Sequence, residues 1–257
     1  AGLVLVTVLI ANRGALWQRF GHAAAAPIRA LGVLPLENLS LDPAQAYFSE
    51  GMTDAISNQL TKISGLQVIA AGSVARLDEH HMSFAELGRR LGVPVLVRGS
   101  VMSDSSRLHV SMQLVRASSG ELLWSESYDR SQRDVLTLQS DVALAIASRV
   151  RVVLTPDEKQ RLGAATPVDP EAYKAYLRGN AELKKGATKE TEQEAERQFR
   201  RAIELAPDYA PAWMGIANAA YAMSSLFDAP GIAIPRARAA ADKALELDPD
   251  LAEAHTM

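Results

Sequence analysis

Ala202-Ile-Glu-Leu-Ala-Pro-Asp-Tyr-Ala-Pro-Ala-Trp213 returns, altered, as Ala244-Leu-Glu-Leu-Asp-Pro-Asp-Leu-Ala-Glu-Ala-His255, 42 residues further on. Each copy reads as the end of one helix, a break at proline and the start of the next helix. Helix pairs repeated in this way stack on one another into a solenoid. Such an array presents a surface and does not enclose a reacting group. The carboxy-terminal part is therefore expected to be all-α and to act by binding.

Working back from the repeat, the pattern changes. Arg29 to Leu36 reads as a short apolar strand, and Glu37 to Asp42 as a loop with Pro43 placed to open a helix. Phe48, Met52, Ile56, Leu60 and Ile63 recur at three- and four-residue spacing, one stripe of a helix that Gly65 stops. Leu66 to Ala71 reads as a second strand. Ser83 with Glu86 forms a capping-box pattern at the start of a short helix that Gly92 closes.

Three strands then follow without helices between them, over 93–102, 107–117 and 121–128. In the middle one Leu108, Val110, Met112 and Leu114 alternate with polar residues. In the last, Leu122 and Trp124 are expected on one apolar face. A long helix carries Val135, Leu138, Val142, Ile146 and Val153, and Thr155-Pro-Asp-Glu158 opens another. The expected fold class is α+β, a mixed β-sheet with packed helices, followed by an all-α solenoid.

Composition narrows the function. The net charge of −3 over 257 residues removes the concentrated basic face that nucleic-acid binding needs, so no direct nucleic-acid binding is expected. The absence of cysteine excludes disulfides, thiolate zinc sites and cysteine nucleophiles. The chain opens without methionine on the apolar run Gly2 to Ala11 and stops inside what reads as the first helix of a further repeat. It therefore reads as the middle of a longer protein. The run is shorter than the roughly 20 residues that span a bilayer, so it reads as a truncated transmembrane helix, with a signal-peptide core as the alternative. Residues 12–28 read as a linker. Arg13 and Arg19 follow the apolar run closely, but the flank on its other side is missing.

Residues 29–154 resemble the TolB-like amino-terminal domain, related to FlgO-type domains. The resemblance is carried by Gly32-Val-Leu-Pro-Leu-Glu-Asn-Leu-Ser40, Tyr47-Phe-Ser-Glu-Gly-Met-Thr-Asp54, Val97-Arg-Gly-Ser-Val101 and Gly120-Glu-Leu-Leu-Trp-Ser-Glu-Ser-Tyr-Asp129, in one order at compatible spacings. After a connecting helix and polar hinge over 155–169, residues 170–257 resemble tetratricopeptide repeats. Ala195, Phe199, Ala202 and Pro207 match that family's packing positions in one copy. Trp213, Ile216, Ala217, Ala237, Ala241, Ala244 and Pro249 match them in the next. The 42-residue spacing exceeds the family period of about 34, and the excess falls around Ser224 to Ile234.

These resemblances imply a protein- or peptide-binding scaffold in a bacterial, membrane-anchored signalling or regulatory protein, with its soluble part on the periplasmic side. They imply a partner bound through a groove lined by Lys174, Arg178, Met214, Asn218 and Tyr221. Related architectures place a winged-helix domain, a Ser/Thr kinase or a nucleotide cyclase upstream. The alternatives are the accessory region of such a kinase or cyclase, or a small-ligand sensor.

Chemistry-bearing patterns are sparse. Asp78-Glu-His-His81 reads as a solvated connection, not a metal site, because adjacent histidines seldom converge on one ion. Glu50 and Asp54 read as neighbours on an exposed helix face. Gly72-Ser73 and Gly99-Ser100 lack the nucleophile-elbow pattern, and no phosphate loop is present. His109 reads as a surface residue. The loop residues Glu37, Asn38 and Ser40 are a candidate ligand contact, although Asn and Ser also serve as turn residues. No enzyme activity, cofactor or metal is expected of this chain.

Overall fold

The computed structural model describes residues 28–40, 42, 45–69, 82–104, 106–164, 167–186, 188–226, 230–249, 251 and 254. The apolar opening run, nearly all of the 12–28 linker, Pro43, Gly72-Ser73 and the Asp78 to His81 cluster lie outside them.

The first part is built from β1 (Ala30–Val33), β2 (Glu37–Asn38), α1 (Ala46–Thr61), β3 (Gln67–Ile69), α2 (Phe84–Leu91), β4 (Val95–Ser103), β5 (Arg107–Arg116), β6 (Leu122–Ser131), α3 (Val135–Arg149) and α4 (Pro156–Gly163). The strands form one mixed sheet in the order β3-β1-β4-β5-β6, with the two-residue β2 also beside β4. β1 pairs in parallel with β3 and β4, whereas β4, β5 and β6 run antiparallel. The apolar stripe of α1 is buried from Phe48 to Leu60. With Val135, Leu138, Val142 and Ile146 of α3 it covers the sheet face that carries Leu108, Val110, Met112 and Leu114. A smaller cluster around Leu87, Leu96 and Ala117 holds α2 to the opposite face.

Three local expectations are corrected. Leu122 does not share a face with Trp124: it is 54% exposed while Trp124 is buried. Leu114 pairs with Trp124 and Val115 with Leu122, which leaves Leu123 as the extra residue of a β-bulge. One extra residue inverts the alternation beyond it, so Leu123 packs inward and Leu122 turns out. Val153 does not extend the stripe of α3. That helix ends at Arg149, Arg151 turns the chain in the left-handed region at φ 60°, and Val153 is 90% exposed. The loop expected over 37–42 begins with a strand, because Glu37 and Asn38 find Ser100 and Val101 as partners.

The helix starts follow their caps. Thr155 and Glu158 make a complete capping box with Pro156 in the first turn. Ser83 accepts from the Glu86 amide at 3.3 Å, but the Glu86 carboxylate turns to Arg90 at 3.1 Å, so only half of the expected box forms there.

Among the described residues the second part is four helices, α5 (Pro170–Lys184), α6 (Lys189–Leu205), α7 (Ala210–Leu226) and α8 (Pro230–Leu247), each packed on the next. The sequence repeat is also a repeat of backbone bonds. Ala206, Tyr209 and Ala212 donate to the carbonyls of Ala202, Ala206 and Tyr209 at 2.9, 3.1 and 3.0 Å. Asp248, Leu251 and Ala254 donate to those of Ala244, Asp248 and Leu251 at 2.8, 3.2 and 3.1 Å. The same turn is thus built twice. The excess over a shorter period is mostly helical, because α7 runs on to Leu226 and α8 starts at Pro230 and carries Pro235 inside it.

Phe199 of α6 locks three of these helices. A Cβ at Gly179 of α5 would lie 2.6 Å from its ring, and one at Gly215 of α7 would lie 2.5 Å from it. Only glycine lets both backbones close on the ring, which is fully buried.

The two parts share one core. Ala172, Tyr173 and Leu177 of α5 are buried in the same apolar cluster as Met52 of α1 and Leu138 of α3. Leu177 lies against Gly51, where a Cβ would meet it at 2.5 Å. The Gln139 amide donates to the Tyr173 hydroxyl at 2.6 Å in this buried joint. Burial raises the Tyr173 phenol above its ordinary range, so the hydroxyl stays protonated.

Candidate interaction surface

Each helix of the array turns one face to its neighbours and leaves another for contact, so the surface is built from what remains open. On α5, Lys174 reaches back to Glu171 at 2.8 Å and is largely covered. Arg178 is exposed, but its guanidinium stacks 5.1 Å above the Tyr47 ring of α1. Nearly two turns further on, Lys184 pairs with Asp54 of α1. The sequence had read Asp54 as a solvated partner of Glu50, and no spacing rule within one helix points to a lysine 130 residues away.

On α7, Met214 is buried against Ala217 and Ala240 and serves packing. Asn218 is exposed and Tyr221, one turn on, is 56% exposed. Of the five expected groove residues, the fold therefore leaves Asn218 and Tyr221 on an open helix face. It engages Arg178 with the α+β part and buries Met214.

The Glu37 to Ser40 loop uses its polar groups internally. Asn38 Oδ1 accepts from the Ser40 amide at 2.9 Å, the Leu39 amide donates to the Val101 carbonyl at 2.9 Å, and Ser40 Oγ accepts from the Ser103 amide at 3.1 Å. The Glu37 side chain is exposed. His109 lies on the open face of the sheet with Nδ1 3.4 Å from Asp129, which also pairs with Arg107.

A second concavity was not anticipated. A groove of about 470 Å³ runs between α6, α7 and α8. Its floor is apolar: Ile203, Trp213, Ile216, Ala239 and Ala240. Its rim is charged. Arg200 of α6 and Arg236 of α8 both donate to the same oxygen of Glu196, while Glu204 is held by Arg201 at 3.1 Å. The half-buried Trp213 directs its indole N–H to the Pro207 carbonyl at 2.9 Å, which fixes the ring across the repeat turn. The sequence assigned Trp213 to packing. The available signal was that a tryptophan beside a turn carries a polar edge that must find an acceptor.

Two buried carboxylates mark the two parts. Glu158 is 2% exposed and holds the Ser64 amide at 2.6 Å and the Thr155 amide at 2.7 Å. Bonds from Ser64, then from the Thr155 amide, hold its pKa down to about 2. Glu192 of α6 is 3% exposed, and its Oε2 accepts no hydrogen bond among the described residues. Burial pushes its pKa up. Among the described residues no group of three or more His, Asp or Glu converges as metal ligands, and no helix is long and apolar enough to cross a membrane.

Comparison with known proteins adds to this geometry. Residues 29–145 match the family described as "HilA/YgeH-like transcriptional regulator, second domain". This stretch, the mixed sheet with α1, α2 and most of α3, is thus similar to a regulatory-type domain. A Rhizobium meliloti (strain 1021) protein named "Putative adenylate cyclase 3" is 36% identical over 184 residues, which are 71% of this chain and 31% of that protein. The chain thus spans about a third of that relative's length.

Among solved structures, lipoprotein GNA1162 from Neisseria meningitidis aligns with 20% identity and a TM-score of 0.36, over 46% of this chain and 98% of its own. TolB from Acinetobacter baumannii aligns with 16% identity and a TM-score of 0.39, over 51% of this chain and 31% of its own. These scores are too low to assign a shared fold.

Proposed function

We propose that this chain is a non-enzymatic, protein-binding region of a bacterial signalling or transcription-regulatory protein. Its α+β part acts as the regulatory domain and its helix pairs, of tetratricopeptide type, as the contact surface. The observation that supports this best is the match of residues 29–145 to the second domain of a transcriptional regulator, joined here to a helical array through a common core. In this reading Asn218 and Tyr221 form the centre of the contact face. Arg178 secures the array to α1, Lys174 is held by Glu171 within α5, and both contribute only at its edge. The location that goes with this reading is the bacterial inner membrane, anchored through the amino-terminal run.

The test is site-specific photocrosslinking in cells from Asn218, with Glu126, an exposed position of β6, as the comparison. Discrete protein adducts from Asn218 and none from Glu126 are expected. Equal adducts from both would overturn the reading.

A second reading is favoured by one observation, the 36% identity to a protein named as an adenylate cyclase. In it the same region regulates a cyclase module of the intact protein. Purified chain supplied with ATP and Mg²⁺ should then form no cyclic AMP. Substitutions at the α1–α5 joint, such as Leu177→Asp, should change cyclase output in the intact protein. Turnover by the purified chain itself, abolished by one point substitution, would overturn both readings.

A further inference from the structure

The α6–α7–α8 groove lies on a different side of α7 from Asn218. Trp213 and Asn218 are five residues apart, which at 3.6 residues per turn sets them roughly 140° apart around the helix. The groove is therefore a separate surface from the face of the proposed function, and the inference below rests on the reading of the array as protein-binding.

We propose that this groove docks an amphipathic helix of a partner protein. That helix places an aliphatic side chain over Trp213 and Ile216 and a carboxylate one turn away against Arg200 and Arg236.

Two observations select this occupant. The first is the floor, where Trp213, Ile216 and Ala239 bring an immobilised indole, a branched side chain and a small residue to one depression. Concave sites of this kind, centred on a tryptophan, supply most of the binding energy of an interface, and an aliphatic anchor fills them. A second, shallow depression on α8, lined by Ile234, Pro235, Arg238, Ala239 and Asp242, adjoins the groove at Ala239, and Ile234 there is 44% exposed. An apolar side chain there offers a second contact to a helix whose anchors lie three or four residues apart.

The second observation is charge. Arg200 and Arg236 converge on one oxygen of one carboxylate, Glu196 Oε1. Within that trio two positive charges face one negative charge, and each guanidinium has five N–H donors in a planar fork. A partner carboxylate completes the trio with charge-assisted bonds. A partner lysine would instead meet two like charges, offset by Glu196, which both arginines already share, and by Glu204, which Arg201 already holds. The apolar floor thus sets the affinity, and the arginine pair sets the sign of the neighbouring charge.

The experiment uses the intact chain and three labelled, alanine-based synthetic helices read by fluorescence anisotropy. One carries leucines flanked by glutamates, one the same leucines flanked by lysines, and one serines flanked by glutamates. The leucine–glutamate helix is expected to bind, the leucine–lysine helix about ten-fold or more weakly, and the serine–glutamate helix without saturation. The double substitution Arg200→Glu with Arg236→Glu should invert the preference to the lysine helix. Ala239→Arg, at an exposed position that leaves the buried positions untouched, should block binding with an unchanged circular dichroism spectrum.

Equal binding of the lysine helix, no saturable binding of any probe, or binding indifferent to Ala239→Arg would each overturn the proposal. So would a dimer in sedimentation that Ala239→Arg dissolves, because the occupant would then be a second copy. None of these outcomes alters the crosslinking from Asn218, so failure here and failure of the proposed function are read separately.

Discussion

The α+β part and the helical array reach burial by opposite means. Around the sheet, the core is made of long and branched side chains such as Leu31, Met52, Ile56, Leu108 and Leu138, which fill the space between layers as closely as molecules pack in an organic crystal. In the array the buried positions are mostly Ala195, Ala202, Ala217, Ala240, Ala241 and Ala244, with glycines where helices cross Phe199. Alanine and glycine remove little apolar area each, but they let helix axes approach closely. The array therefore depends on shape at a few points, and the sheet on total buried area. Glu158 and Glu192 repeat the contrast, since one buried carboxylate is met by two backbone amides and the other is left with an unmet oxygen. What joins the two is α5, whose residues belong to both.

The largest effect is expected at Phe199. Phe199→Ala empties the clasp between Gly179 and Gly215 and should cost about 3–5 kcal/mol, read from urea unfolding of the whole chain. Because α5 is shared, the loss should appear as a lower midpoint of one transition. An early, separate transition of the helices that left the sheet signal unchanged would break the comparison, by showing two independent parts.

Gly215→Ala should come next. The added methyl would stand 2.5 Å from the Phe199 ring, so a helix must shift, at a cost of about 1–3 kcal/mol. The same substitution at Gly163, where nothing lies within 4 Å, should not show that loss.

At the joint, Tyr173→Phe removes the acceptor of the Gln139 amide and leaves a buried donor with only the Met52 sulfur at 3.8 Å. About 1–3 kcal/mol should be lost. Replacing Gln139 by Leu together with Tyr173→Phe should recover part of it, and a double loss equal to the sum would show that the bond does not couple the parts.

The smallest effects are those of pH, and they have opposite signs. The folded pKa of Glu158 is depressed, so its contribution is complete above the unfolded value of about 4.5 and is lost as pH falls toward about 2. Glu158→Gln should therefore lower the urea midpoint at neutral pH and converge on the parent near pH 2. The folded pKa of Glu192 is raised, so its cost to the fold begins as pH rises past the unfolded value of about 4.5 and is complete above the folded pKa. Glu192→Gln should raise the midpoint at neutral pH, with a gain that fades in acid. Equal and like-signed pH profiles for the two variants would show that burial, not hydrogen bonding, governs both.

Much of this architecture was legible because it is local. The stripe from Phe48 to Ile63, the alternation along β5, the Thr155 cap and the repeated proline turn each follow from residues within one or two turns of one another. What the sequence concealed depends on partners far along the chain. β2 is a strand only because Ser100 and Val101 lie beside it. Leu122 faces outward because a bulge inserts Leu123, which no pattern within the strand announces. The candidate surface was legible only in part. Asn218 and Tyr221 were implied by the tetratricopeptide resemblance and are exposed in the fold, whereas Arg178 is drawn to Tyr47 and the groove beside Trp213 needs three helices at once.

The shared helix α5 also has a consequence for synthesis. A chain leaving the ribosome completes the sheet, α1 and α3 before α5 has emerged, and elongation at about 5–20 residues per second leaves that interval at seconds. During it, Met52, Gln139 and the rest of the α5-facing surface stand open to solvent and to other nascent chains. Ending the chain before Pro170 would make that interval permanent, so a shortened product should aggregate or recruit chaperones even though every strand of its sheet is present.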